Sequence, residues 1–133
     1  MADIPEEHLT EELLDRLLAS ARTLTDYLFD RMEAHGLKRA DVVRASGLNA
    51  TVVYDIFSGK SRPGRDHAIM LAFGLKCTLR ETQRLLRLAG VSELWCKQRR
   101  DAIIIWCIRN GFDRIATDDE LYRMGEATLL PAD

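Results

Sequence analysis

Gly47 and Gly59 bracket the most constrained part of this chain, the ten residues NATVVYDIFS at 49–58. A helix does not run comfortably through Gly47, and Asn49 is a good N-cap, so a new helix is expected to begin at Ala50. Val53, Ile56 and Phe57 follow at i, i+3, i+4 spacing and form its apolar stripe. Ser58 and Gly59 end it, because glycine takes up the left-handed conformation that closes many helices. Upstream, residues 38–46 read as another short helix with Val42 and Val43 on its buried side. Two short helices joined by a tight glycine-containing turn make a helix-turn-helix, placed at 38–58.

The rest of the chain also reads as helix. Its three prolines, Pro5, Pro63 and Pro131, leave long stretches free to be helical. Thr10 caps a helix to Ser20 whose stripe is Leu13, Leu14, Leu17 and Leu18, with Glu11 and Glu12 favouring its positive end. A leucine stripe of this kind docks on its own core or on a partner, and docking within the chain is the expectation. A helix over 25–35 buries Leu28 and Met32 and stops at Gly36. One over 65–73 contributes Ile69, Ala72 and Phe73. Thr78 and Glu81 form a capping box for the next, which carries Leu79, Leu85, Leu86 and Leu88 to a stop at Gly90. Residues 92–97 connect to a helix over 98–110, apolar around its whole centre and therefore expected to be buried on more than one side. A last helix opens at Asp113 or Thr117 and ends near Gly125. Strand patterns are absent apart from the short run Ile103–Ile104–Ile105, which sits among helix formers. The expectation is an all-α fold of six to eight helices.

Charge separates along the chain in a way the net value of −2 hides. Residues 1–35 hold three basic and nine acidic side chains, a net −6. Residues 36–65 hold six basic residues (Lys38, Arg39, Arg44, Lys60, Arg62, Arg65) against Asp41 and Asp55, a net +4, and 66–133 balance. Positive charge thus gathers on the helix-turn-helix, as a phosphate-contacting surface requires. With 47% hydrophobic residues the chain can bury a core. An acidic start without an apolar run argues against a secretory leader, and no apolar run is long enough to span a bilayer, so the cytoplasm is the expected compartment. Cys77, Cys96 and Cys107 are widely spaced and read as reduced and mostly buried. They offer no metal-ligand spacing with His8, His35 or His67. Neither a metal nor another cofactor is expected.

Residues 23–90 resemble the lambda-repressor-like, or Xre, helix-turn-helix family. The likeness rests on Leu37, on Val42 and Val43, on Ser46–Gly47–Leu48 at the turn, and on Ile56, Ser58–Gly59–Lys60 and Pro63. The stretch LAFGLKCTLRETQRLLRLAG, residues 71–90, is similar to the fourth and fifth helices of such regulators. The resemblance implies a five-helix DNA-binding domain, sequence-specific binding to double-stranded DNA, and a symmetric homodimer. It divides the chain into an acidic amphipathic helix at 1–22, the helix-turn-helix domain at 23–90 and a C-terminal helical region at 91–133.

On that reading the chain is a transcriptional regulator, in the sense of a repressor. Asn49, Ala50 and Thr51 reach base edges from the start of the helix at 50–57. Tyr54 adds an aromatic face or a hydroxyl, and Arg39, Lys60, Ser61 and Arg62 hold phosphates. Each has a plainer role: Asn49 as cap, Thr51 as a solvated residue, Tyr54 as cover for an apolar surface. Ala50 touches at most a thymine methyl, and Asp55 accepts from cytosine N4 but does not bridge guanine as arginine does. Those two residues and the acidic N-terminal arm carry the alternative, a protein–protein interaction module that uses the N-terminal or C-terminal helices and binds DNA weakly or not at all. No Ser-His-Asp or Cys-His arrangement, phosphate-binding loop or dinucleotide glycine pattern is present, which argues against an enzyme.

Overall fold

The computed structural model describes residues 8–20 and 23–131. Within them the chain forms eight α-helices and no strand: α1 (Glu11–Ser20), α2 (Leu24–Ala34), α3 (Arg39–Ser46), α4 (Ala50–Phe57), α5 (Arg65–Gly74), α6 (Leu79–Leu88), α7 (Arg99–Arg109) and α8 (Arg114–Arg123). The first seven positions of the acidic segment expected at 1–22, and its boundary at 21–22, lie outside the described residues.

Most starts and stops follow local chemistry. The side chains of Thr23, Asn49, Thr78, Gln98 and Asp113 each accept a backbone N–H in the first turn of the helix that follows. Each such cap contributes about 1 kcal/mol. The Asp113 cap settles where the last helix opens. Thr78 and Glu81 form the expected reciprocal capping box.

The core is built around α5, where Ala68, Ile69, Met70, Leu71, Ala72 and Gly74 are all buried. α3, α6 and α8 pack on it, and α2 lies against both α4 and α6. The α3–α5 crossing depends on Gly74: a Cβ there would stand 2.9 Å from both the Ser46 Cβ and the Val42 carbonyl oxygen. A larger side chain at position 74 would clash there, and α5 runs one residue beyond its expected end to include the glycine. Leu28, Val53, Ile56, Phe57, Leu85 and Leu86 complete this part of the core. Leu94, Ile104, Ile105, Leu121 and Leu129 extend it into the C-terminal third.

Two expectations are corrected. Leu13 and Leu14 of α1 are half-buried, but Leu17 and Leu18 are 61% and 64% exposed, so the leucine stripe is not docked along its length. α7 is packed on more than one side, as its apolar centre predicts: it lies against α6 and α8 and buries Ile104, Ile105 and Cys107, while Trp106 on its remaining side is 51% exposed. Among the cysteines Cys107 is buried, Cys77 is half-buried and Cys96 is exposed, since it stands in the connector before α7. All three are free thiols.

Candidate nucleic-acid interface

α4 is short enough that each residue has one clear side. Val53, Ile56 and Phe57 point into the core, and the Phe57 ring meets Phe29 edge-on at 5.1 Å. The opposite side leaves Ala50, Thr51 and Tyr54 exposed, with Asp55 half-buried at the margin. Asn49 Oδ1 accepts from the Thr51 amide at 2.8 Å, so the cap occupies that half of its side chain. The Nδ2 group is the half that remains for a base edge.

The chain leaves α4 by folding back on it. Gly59 takes φ +80°, and the amides of Lys60 and Ser61 both donate to the Asp55 carbonyl, at 2.9 and 3.2 Å. The Ser58 hydroxyl donates to the same oxygen at 3.0 Å. These bonds collect Lys60, Ser61 and Arg62, all exposed, at the C-terminal end of α4. Pro63 behind them is buried and anchors the loop. Eight residues of helix span ~12 Å, so the candidate residues form a strip rather than one cluster.

Arg39 links α3 to this strip. Its guanidinium carbon lies 5.1 Å from the Tyr54 ring centroid, a cation–π contact that contributes about 0.5–1 kcal/mol at an exposed site. Tyr54 thereby gains a structural role, and Arg39 is held over the outward face of α4. Nearby, the Asp41 carboxylate accepts the Lys38 amide at 2.9 Å and pairs with Arg44. The Lys38 bond first, and Arg44 after it, hold the Asp41 carboxyl below its ordinary range. Arg44 is therefore already matched by an acid, unlike its neighbours on the strip.

Arg65 was counted among the cations of this surface, and here the structure corrects the sequence. Its guanidinium turns inward and binds both carboxylate oxygens of Asp101 and the carbonyls of Ser92 and Glu93. A partner 36 residues away leaves no trace in local periodicity.

Sequence reasoning also missed the support beneath the turn between α3 and α4. Gly47 has φ +78°, and a Cβ there would stand 2.7 Å from Arg114 Nε. Arg114 is held by Asp118 at 2.7 Å, and Asp118 also accepts the amides of Leu129 and Leu130. The start of α8 and the C-terminal strap thus buttress the turn that aims α4. Another group passed over is Arg80, Arg84 and Arg87 on α6, whose i, i+4, i+7 spacing is a legible signal of one helix face.

Among the described residues no three His, Cys, Asp or Glu side chains gather so as to hold a metal ion, and no helix is long and apolar enough to cross a membrane. No protein-family model, no curated protein and no solved structure matches this chain.

Proposed function

We propose that the chain is a sequence-specific DNA-binding regulator of lambda-repressor-like architecture, acting as a repressor and reading its site with α4. The observation that carries this reading is the outward face of α4: Ala50, Thr51 and Tyr54 are exposed, with Arg39 stacked on Tyr54 and Lys60, Ser61 and Arg62 at the far end. Small and polar side chains at the start of a short helix fit the edges of bases in a major groove. A cation over the middle of α4 and two more beyond its C-terminal end fit the phosphates beside the groove. Thr51 and the Asn49 amide nitrogen are the direct readers, Ala50 allows close approach to a thymine methyl, and the cations set register.

A second reading, a protein-interaction module on the same scaffold, draws on the Asn49 cap and on Ala50. Together they leave the start of α4 with few hydrogen-bonding groups. Binding to random-sequence duplex DNA separates the two. A regulator binds at low salt and loses affinity steeply as salt rises, because bound phosphates release counterions. No binding at low salt would favour the interaction module. Selection from a random duplex pool then gives the site, and a palindrome would report twofold pairing of the protein.

A further inference from the structure

The face of α6 opposite the core matches the strip on α4 in positive charge, three arginines against Arg39, Lys60 and Arg62. Arg80, Arg84 and Arg87 are all exposed and repeat at helical spacing, with Leu85 and Leu86 buried behind them. Arg31 of α2 joins them across a shallow cleft of about 390 Å3 lined by Tyr27, Arg31, Arg80, Glu81, Arg84 and Arg87. Four guanidiniums thus face one carboxylate among these residues. That carboxylate is committed: Glu81 accepts the Thr78 amide at 2.9 Å and is paired with Arg31, with His35 Nε2 at 3.7 Å. The Tyr27 ring meets both Arg31 and Arg84, at 5.5 and 5.9 Å from their guanidinium carbons, and its hydroxyl donates to the Glu81 carbonyl at 3.3 Å. The ring supports the arginines side by side despite their mutual repulsion. Arg87 has Glu93 at 3.9 Å, a long contact between exposed groups.

This face is continuous with the strip on α4. Arg62, in the loop after α4, places Nη1 3.6 Å from where a Cβ of Gly90 would stand, three residues beyond Arg87. From Arg80 to Arg87 the helix rises ~10 Å. A strand of duplex DNA presents a phosphate about every 3.4 Å of axis, so a line of that length faces roughly three of them. Arginine suits this task through its planar fork of donors.

We propose that the arginine face of α6, continued by Arg62, is a second phosphodiester-binding surface that holds the DNA backbone outside the bases contacted by α4. It rests on the DNA-binding reading above and adds to it the three arginines of α6, with Arg62 shared between this track and the strip on α4. The track contributes affinity and salt dependence without sequence preference.

The test compares the intact chain with a triple variant, Arg80→Gln, Arg84→Gln and Arg87→Gln, on a duplex of some thirty base pairs across a salt series. The expected result is a log–log salt slope smaller by about two to three units, at about 0.9 per phosphate released. Arginine-to-lysine changes at the same three positions keep the slope within about one unit of the parent, because the slope counts charges. The preferred sequence from pool selection stays the same in both. Should the triple glutamine variant melt early, Arg80→Gln alone gives the reading, with a loss of about one unit. An unchanged slope in folded glutamine variants, while Arg39→Ala lowers it, would overturn the second surface and leave the α4 reading standing. If the parent chain itself fails to bind duplex DNA at low salt, both fall together.

Discussion

Arg65 and Asp101 are joined by two parallel hydrogen bonds, Nη1 to Oδ1 at 3.0 Å and Nη2 to Oδ2 at 2.7 Å. Their chain neighbours repeat the pairing in the opposite sense: Arg100 donates to both oxygens of Asp66 at 2.9 and 3.0 Å. Two crossed ion pairs therefore clamp the start of α7 to the start of α5. Asp101 also accepts the Trp95 amide, and Arg100 donates to the carbonyls of Ala127 and Thr128. The C-terminal third is tied by these bonds to the same helix that carries the core.

Removing Asp101 should be costly. The side chain is buried, and its loss strands the Arg65 guanidinium among carbonyls with no balancing charge. Breaking such a pair costs ~3–5 kcal/mol, and Asp101→Ala is expected at the lower end because Arg65 is still 27% exposed. A pH signature accompanies it. Burial pushes the Asp101 carboxyl up, but the Arg65 hydrogen bonds, the Trp95 amide and the charges of Arg65 and Arg100 outweigh burial and leave it below its ordinary 3.8. A carboxyl depressed in the folded state stabilises above its unfolded pKa and loses that contribution as pH falls through the folded value. Melting temperature of the parent should therefore fall below about pH 4, and Asp101→Asn should start lower at neutral pH and fall less. Parallel acid profiles for the two proteins would refute the assignment.

Gly47 and Gly111 offer a controlled comparison of strain and clash. Both have a left-handed backbone, at φ +78° and +74°, but a Cβ at Gly111 meets nothing within 4 Å. Gly111→Ala should cost about 1–2 kcal/mol, the conformational penalty alone. Gly47→Ala adds the displacement of Arg114 and should cost clearly more. Equal losses on thermal or urea unfolding would show that Arg114 yields freely and does not buttress the turn.

Local grammar made much of this fold legible. The bounds of α4, its Asn49 cap and its inward residues Val53, Ile56 and Phe57 were all readable, because each depends on neighbours within one turn. Gly47, Gly59, Gly90 and Gly125 were readable as stops for the same reason, and all four are left-handed. What sequence could not supply is the partner of each exposed-looking group. Arg65 counted as a surface cation until Asp101 claimed it, and the apolar centre of α7 did not say that Trp106 would be the residue left exposed. The candidate strip follows the same division. Thr51 and Tyr54 were singled out by the resemblance and are exposed, but the stacking of Arg39 on Tyr54 joins two helices and has no sequence signal.

On DNA, Arg39→Ala and Arg62→Ala should each weaken binding to every duplex and reduce the log–log salt slope by about one unit. Thr51→Ala should instead change which sequence is recovered from a random pool, with the slope intact. Arg39 and Arg62 variants that keep both affinity and slope would show that the strip on α4 is not the DNA face.

The three thiols should differ sharply in reactivity. Burial, reinforced by the Glu81 charge, pushes Cys77 up to about 12, and burial likewise raises Cys107. Only the thiolate is alkylated, so both should resist iodoacetamide at pH 8, whereas Cys96 is exposed and should be labelled first. Mass mapping after brief treatment checks the order. Labelling of Cys107 at the rate of Cys96 would mean that α7 and α8 separate readily in solution.

A protein proposed to read two half-sites should pair with itself, and the C-terminal helices offer a surface for that pairing. α7 and α8 finish the monomer core with Ile104, Ile105 and Leu121, and leave Trp106, Ile115 and Tyr122 exposed. Between them runs a largely apolar groove of about 280 Å3, lined by Ala102, Ile103, Trp106, Met124 and the Glu120–Arg123 pair. The Trp106 ring meets Phe112 edge-on at 5.2 Å. Exposed apolar surface marks interfaces where it is contiguous, and aromatic anchors dominate their energies. A twofold pair through this face would present two copies of α4, as palindromic sites about one DNA turn apart require. Sedimentation at micromolar concentration should show a dimer, and Trp106→Lys should shift it to monomer with the melting temperature little changed. A parent chain that sediments as a monomer and binds one non-palindromic site tightly would remove the dimer and leave α7 and α8 as the completion of a single core.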